Sequence, residues 1–396
     1  MWEYPLNYVT PFPAHQSREV TMKRCTRCLL PEGQLNVSLN EDGVCNYCGH
    51  WQSNESRFND YGTLKPLLLD RIEKLGGKSP VDVLIGYSGG KDSSYVAYSV
   101  SHRYGLNARL LTVNNGFLND YARRNISRML DKLNLPHVFH HFDEDLQRSL
   151  YRAAFETYAD PCVGCAIPLY YYSFKYAYEN EIPMIIHGRT PYQIFRNYYP
   201  GSKDTFLELH LTNYEPHSYQ RLAEIYQGFA DDLKRWLGEM FPNDKGLQQK
   251  AYDEVFFDVA SADPSQLPDF IGLFQYEQYD EEKIKSELEA AIGYQRPSDD
   301  IVLGHGDCDI HAASAYLLRS VHSNVTTLTE IASMLRLGAF GQGKARELIT
   351  RYESLETKRP ADSISALCNG SGITPEQFDD IAQNPQNHKH KRFANH

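Results

Sequence analysis

Two kinds of residue in this chain can do chemistry by type and spacing: a short run of hydroxyls, glycines, a cation and an acid, and eight cysteines. The run is Ser88-Gly89-Gly90-Lys91-Asp92-Ser93, placed directly after the apolar stretch Val81-Asp82-Val83-Leu84-Ile85-Gly86 and directly before a helical pattern. Glycines let consecutive backbone N–H groups turn toward phosphate oxygens, and the following helix N-terminus adds its positive dipole end. Lys91 supplies a cation, Ser88 and Ser93 supply hydroxyls, and Asp92 is placed to hold Mg2+ against a triphosphate. The spacing differs from G-x-x-x-x-G-K-[ST], so this is not the common NTPase cradle. A plain turn would explain the glycines but not the hydroxyls, cation and acid beside them.

The cysteines are Cys25, Cys28, Cys45, Cys48, Cys162, Cys165, Cys308 and Cys368. The first four form C-x2-C pairs sixteen residues apart, the spacing of a zinc knuckle. Four thiolates fill a tetrahedral shell, so the expected ion is a structural Zn2+, with His50 an unnecessary substitute. Cys162-Val163-Gly164-Cys165 opens a further helix, and Cys308 lies in Gly304-His305-Gly306-Asp307-Cys308-Asp309. Thiolate ligation is what iron–sulfur clusters need, and three thiolates are one short of a filled cluster. Two other readings stay open. Cys165, close to a helix N-terminus, could have a lowered pKa and carry a persulfide. Otherwise a second zinc would take its fourth ligand from His305, His311 or Asp307, or the thiols would simply be buried. Cys368 has no partner in sequence and is expected to be a small buried side chain.

The elements that must position these groups follow from the hydrophobic pattern. Strands are expected at 81–86, 108–113, 137–139 and 183–186, alternating with helices at 65–72, 93–104, 120–133, 145–158 and 168–179. That alternation implies an α/β fold with a parallel sheet and crossover helices. Beyond Tyr198 the rhythm breaks. Leu222, Ile225, Tyr226, Phe229, Leu233, Trp236 and Leu237 have helical spacing, so 219–238 should be an amphipathic helix whose aromatic stripe serves the core or a subunit contact. Thr327-Leu328-Thr329-Glu330 and Thr374-Pro375-Glu376-Gln377 are helix-start signals. The expected organisation is an arm and zinc knuckle over 1–59, an ATP-binding α/β domain over 60–200, a partly helical insertion over 201–300 and a helical region over 301–396.

The loop resembles the signature S-G-G-x-D-S of the PP-loop ATP pyrophosphatases, which implies an adenine-nucleotide hydrolase-type α/β domain. It also implies a chemistry in which ATP adenylates an oxygen, pyrophosphate leaves, and a nitrogen or sulfur nucleophile displaces AMP. By the same resemblance Asn114, in Asn114-Asn115-Gly116, would lie near the adenosine, and His187-Gly188-Arg189 near the α-phosphate, though a structural role stays open for His187 and Arg189. Cys25-Thr26-Arg27-Cys28-Leu29-Leu30-Pro31, Asp42-Gly43-Val44-Cys45-Asn46-Tyr47-Cys48 and Gly188-Arg189-Thr190-Pro191-Tyr192-Gln193-Ile194-Phe195-Arg196 resemble the N-acetyl sugar amidotransferases of surface-polysaccharide pathways. The set Cys162, Cys165 and Cys308 is instead similar to tRNA-sulfurating thiolases of the PP-loop family, where three cysteines hold a [4Fe-4S] cluster. Lys91, Asp92, Cys162 and Cys165 are the expected catalytic residues.

Two enzyme readings result. One is sulfur transfer onto an adenylated small molecule, which needs a sulfur donor. The other is amidation of an N-acetyl sugar nucleotide, with ammonia from a partner glutaminase that this chain does not resemble. A third, non-catalytic reading is a zinc module that binds ATP as a structural ligand. With 40 Lys+Arg against 51 Asp+Glu the 396 residues carry a formal charge of -11, which argues against a broad nucleic-acid surface. A small metabolite or sugar nucleotide is therefore preferred to tRNA as acceptor, although Arg123, Arg124 and Arg128 form a local basic patch. No apolar run approaches a membrane span, and the first residues lack a basic segment followed by an apolar one, so a cytoplasmic protein is expected, with a homodimer compatible.

Overall fold

The computed structural model describes residues 23–33, 36–202, 204–214, 218–295, 306–322, 325–356 and 358–388. Its centre is a five-stranded parallel sheet: β1 (Val83–Gly86), β2 (Ala108–Val113), β3 (His137–His140), β4 (Met184–His187) and β5 (Asp269–Gly272), in the order β3-β2-β1-β4-β5. Ile85 pairs with Leu110, Leu84 with Ile185 and Ile186 with Ile271. The central strand is apolar throughout because helices cover both of its faces. Leu84 points into one core and its neighbours Val83 and Ile85 into the other, as alternation along a strand requires.

The first core joins the sheet to helices Glu144–Tyr158, Val163–Glu179, Tyr219–Met240 and Lys245–Val255. The second joins it to helices Tyr61–Leu75, Lys91–Tyr98, Asp120–Leu133 and Glu281–Ile292. Local signals end several of these helices. Asn119 accepts from the Ala122 N–H at the start of one, Asn134 closes it with φ +50°, and Asp143 accepts from the Leu146 N–H at the start of the next. The aromatic stripe of Tyr219–Met240 is wholly core: Tyr226, Phe229, Leu233 and Leu237 are buried against Tyr171 and Phe174.

Three expectations are corrected. Strand β5 was missed because Asp269-Phe270-Ile271-Gly272 has only two apolar residues, follows Pro268 and lies beyond the point where the strand–helix rhythm breaks; it lies within the 201–300 segment yet completes the sheet. The helix expected from Pro168 begins at Val163 and carries Pro168 inside its second turn. The helix expected from Thr327 begins at Val325 and runs to Arg336. At Thr374 the capping box forms as expected.

The C-terminal helices fall into two groups. His311–His322, Ala361–Ser371 and Pro375–Gln383 pack Ala313, Leu317, Leu367 and Phe378 against Tyr151 and Phe155. Val325–Arg336 and Gln342–Glu356 instead cover the N-terminal cysteine segment, with Leu328 and Ala332 against Cys25, Cys28, Cys45 and Cys48, and Ile331 and Ala345 against Leu29. The N-terminal cysteine segment and helices from the last quarter of the chain thus meet. No helix among the described residues is long and apolar enough to cross a membrane.

Candidate functional site

Strand order reverses between β1 and β4, since β2 and β3 lie to one side of β1, and β4 and β5 to the other. At such a switch point the loops leaving the carboxyl ends of the two central strands splay apart and form a crevice. Ser88–Ser93 leaves β1 and His187–Arg189 leaves β4, so the structure brings both sequence-selected segments to the same place. Gly89 has φ +77°, and a methyl group on it would lie 2.5 Å from the Ala122 carbonyl oxygen. Ser88 Oγ accepts from the Gly90 N–H at 3.2 Å and lies 3.3 Å from Ser93 Oγ, which donates to the Gly90 carbonyl. The loop is therefore held by its own hydroxyls.

Lys91 and Asp92 start the following helix and are tied to each other and to Tyr279. Tyr279 OH donates to Asp92 Oδ1 at 3.1 Å, and Lys91 Nζ donates to Tyr279 OH and pairs with Asp92 Oδ1 at 3.1 Å. Glu281 stands 3.6 Å from the same ammonium. Burial pushes the Asp92 carboxyl up, against the opposing pull of Lys91.

The turn after β4 lies directly on this helix. A methyl group on Gly188 would sit 2.7 Å from the Asp92 carbonyl carbon and oxygen and 3.1 Å from the Ser93 nitrogen. His187 orients the turn by accepting the Arg189 N–H on Nδ1 at 3.1 Å. Its Nε2 lies 2.9 Å from Nε2 of His210, whose Nδ1 lies 2.5 Å from the Phe206 carbonyl oxygen. One assignment satisfies all three contacts: His210 donates from Nδ1, His187 donates from Nε2 to His210, and His187 Nδ1 accepts from the backbone. Both rings are then neutral. Burial lowers His187 well below the usual imidazole range, with His210 and Arg189 adding repulsion, and brings His210 down to about 3. His187 has no free nitrogen in this arrangement and pins the turn. The Arg189 guanidinium stands over Tyr170 and Phe206, 4.8 Å and 5.7 Å from the ring centres.

The second cysteine set reaches the same end of the sheet by a different route. Residues 306–309 lie antiparallel to the segment after β2: Asp309 N–H donates to the Phe117 carbonyl and Asn119 N–H to the Asp307 carbonyl. This brings Cys308 to Cys165, so that the Asn115 amide donates to Cys165 Sγ at 3.6 Å and to Cys308 Sγ at 3.9 Å. Cys162 caps the helix that carries Cys165, and its N–H donates to Asp160. Burial raises all three thiols, and at Cys165 it acts against hydrogen bonds from Tyr151 and Asn115 that pull the other way. His305 lies outside the described residues. Asp307 was weighed only as a metal ligand, yet its Oδ2 comes within 3.4 Å of where a Gly90 side chain would begin. It stands between the loop and the thiols.

Asn114 faces elsewhere, with Oδ1 accepting the Gly116 N–H and Nδ2 lying 3.1 Å from His141 Nδ1. Its neighbour Asn115 is the one that meets the sulfurs. Cys368 is buried in the C-terminal core, the same cluster against which Cys165 and Cys308 pack. Of the basic patch, Arg123 donates to the Leu118 carbonyl and Arg124 covers Tyr121.

The N-terminal cysteines form a separate centre. Cys25 Sγ is 3.8 Å from Cys48 Sγ, and Cys28 Sγ is 3.5 Å from Cys45 Sγ. Four sulfurs about 2.3 Å from a common tetrahedral centre stand about 3.8 Å apart, whereas a disulfide closes to about 2.05 Å. The N–H groups of Arg27, Cys28 and Cys45 point at Cys25 Sγ at 3.3–3.5 Å, and that of Cys48 at Cys45 Sγ. Such donors favour thiolates. Among the described residues this is the only group of three or more ligand atoms all within 4.8 Å of one another, so the Cys162, Cys165 and Cys308 sulfurs are set wider.

No family model matches the sequence, and no curated protein matches it. Among solved structures the chain is similar to the U34-tRNA thiolase NcsA from Methanococcus maripaludis with its [4Fe-4S] cluster, at 14% identity and a TM-score of 0.34, over 89% of this chain and 99% of that one. A likeness at that level says nothing about what this chain binds.

Proposed function

We propose that the chain adenylates an oxygen of a small acceptor with ATP and lets a sulfur nucleophile displace AMP beside Cys162, Cys165 and Cys308. The observation that carries this reading is the pairing of 306–309 with 117–119, which sets Asp307 against the Gly90 loop and Cys308 against Asn115 and Cys165. Nucleotide loop and thiols then share one crevice.

In this reading the Ser88–Ser93 hydroxyls and N–H groups hold the β- and γ-phosphates, and Mg2+ accompanies them at Asp92. Lys91 exchanges its contacts with Tyr279 and Asp92 for phosphate oxygens. The acceptor oxygen attacks the α-phosphorus, forming an O–P bond as the α–β bridge breaks and pyrophosphate leaves. Sulfur then attacks the activated carbon, the C–O bond breaks, and AMP departs with the oxygen. Arg189, pinned through His187, stabilises the charge that grows on the α-phosphate. The wider spacing of Cys162, Cys165 and Cys308 suits a cluster better than a single ion, and their side chains would hold a [4Fe-4S] cluster. Such a cluster, when bound, supplies an iron without a protein ligand that can carry sulfide. Cys25, Cys28, Cys45 and Cys48 would hold a structural Zn2+, for which their spacing suits.

The test is anaerobic purification with zinc, iron and acid-labile sulfide determined, followed by pyrophosphate release from ATP with sugar nucleotides, nucleobases and tRNA. About one zinc, an oxygen-sensitive brown chromophore lost in Cys308→Ala, and acceptor-dependent pyrophosphate release are expected. Iron absent under strict anaerobiosis together with a fully active Cys162→Ala would overturn sulfur transfer in favour of amidation with a glutaminase. No pyrophosphate release with any acceptor would leave a nucleotide-binding zinc module.

A further inference from the structure

Arg336, the last residue of the Val325–Arg336 helix, lies beside the N-terminal cysteines with its guanidinium 5.6 Å from the centre of the Tyr47 ring. Tyr47 stands between Cys45 and Cys48 in sequence and is buried with them. Both terminal guanidinium nitrogens of Arg336 are shut off from solvent, and neither has a hydrogen-bond partner among the described residues. This is an anomaly. Arginine keeps its proton, and a buried cation without a counter-charge is strongly unfavourable.

The four sulfurs supply a matching anion of fixed charge when they hold a metal. Loading a divalent ion forms four metal–sulfur bonds and releases to solvent the protons the sulfurs carried, leaving a centre with two net negative charges. Metal-free, the same pocket lacks that fixed charge opposite a buried cation. We infer that Arg336 is the outer counter-charge of the Cys25, Cys28, Cys45 and Cys48 metal centre, and that metal occupancy thereby sets how firmly the Val325–Arg336 helix docks on the N-terminal knuckle. This rests on the part of the proposed function that places a divalent ion at these cysteines.

The dependence on zinc separates a counter-charge from ordinary packing. Arg336→Met keeps the length of the side chain and removes the charge, and Arg336→Lys keeps the charge. On the full chain, zinc affinity by competition with a chromophoric chelator should fall about tenfold in Arg336→Met, within the range typical of outer-shell partners, and recover in part in Arg336→Lys. The melting temperature of Arg336→Met should fall relative to wild type by more in the zinc-loaded form than in the metal-free form. In the wild-type chain, stripping zinc should speed amide hydrogen exchange in the 325–336 helix more than in the sheet strands. An equal fall in melting temperature with and without zinc, or an unchanged affinity, overturns the inference; should Arg336→Met fail to fold, an unchanged exchange rate in the wild-type helix does so. A wild-type chain that takes up no divalent ion is recognised first by metal analysis and overturns the metal reading itself.

Discussion

The two cysteine groups use the same ligand chemistry and are built in opposite ways. Cys25, Cys28, Cys45 and Cys48 come from one short segment, stand 3.5 Å and 3.8 Å apart in pairs, and receive backbone N–H groups on sulfur. Cys162, Cys165 and Cys308 come from two segments far apart in sequence, are set wider, and are met mostly by side chains: Asn115 at Cys165 and Cys308, Tyr151 at Cys165 and Ser314 at Cys162, with the Ile310 backbone at Cys308. A tight shell cradled by N–H donors leaves no open position and suits a structural ion. A wider set beside the proposed nucleotide loop would leave room for a reacting group. The contrast teaches that the spacing of donors, more than their identity, separates a staple from a working site.

The largest effect expected is on the staple. Cys45→Ser opens the shell and should abolish stoichiometric zinc, withdrawing much of the roughly 10–16 kcal/mol of apparent binding energy that structural zinc supplies in small domains. The zinc-to-protein ratio and a thermal melt check it. Cys308→Ala should do the reverse, with a melt shifted by about 1 kcal/mol or less, sulfur transfer lost and acceptor-dependent pyrophosphate release kept. If Cys308→Ala melts as low as Cys45→Ser, the second group is a staple too and the comparison collapses.

How far each region was legible follows from how local it is. The Cys25–Cys48 spacing and the Ser88–Ser93 loop were visible because each motif lies within one short stretch, and β1 was visible because it is apolar on both faces. Strand β5 was invisible, being two apolar residues between an acid and a glycine in a segment where strands and helices no longer alternate. His210 and Arg336 carried no signal at all, Asp307 was legible only as a metal ligand, and Asn115 only as a neighbour of Asn114. Their contacts reach His187, Tyr47, the Gly90 loop, and Cys165 and Cys308 only after the sheet has closed and the N-terminal segment has met the C-terminal helices. A close approach such as Gly188 on Asp92 is likewise a property of two packed elements, and one glycine letter does not announce it.

Acidification probes the long-range construction directly. His187 and His210 sit below the free-imidazole value of 6.5, so the unfolded chain binds protons that the folded chain refuses. Their contribution is therefore whole above pH 6.5 and is lost as pH falls below it, down to about 3 for His210, by up to about 1.4 kcal/mol per pH unit for each group. Metal loss in acid adds to this in both wild type and variant. The difference between wild type and His210→Gln isolates the histidine pair, and urea titrations across that window should show a shallower pH slope in the variant. Equal slopes would mean that the pair takes up protons without breaking its contacts.

Gly188→Ala tests the junction where the β4 turn meets the loop. Its new methyl group 2.7 Å from the Asp92 backbone must move one element, at about 1–3 kcal/mol. Because the turn and the loop bound the nucleotide crevice, the cost should appear as a ten- to hundredfold rise in KM for ATP, with zinc content unchanged. A loss of zinc instead would mean that the two regions are mechanically coupled.

The smallest effect is the most selective. Asn115 is joined to Cys165 and Cys308 through contacts of 3.6 Å and 3.9 Å, long even for sulfur acceptors, so Asn115→Leu should cost about 1 kcal/mol. A deficit of that size is roughly fivefold in rate. It should fall on the sulfur-transfer step alone, with acceptor-dependent pyrophosphate release and the zinc ratio at wild-type values, because the side chain touches neither the loop hydroxyls nor the knuckle. Asn115→Asp should be worse than Asn115→Leu, since it sets a carboxylate against sulfurs that must become thiolates, and like charges in a buried site disfavour that change. If the order is reversed, the amide acts by filling space, and the second cysteine group owes its arrangement to packing.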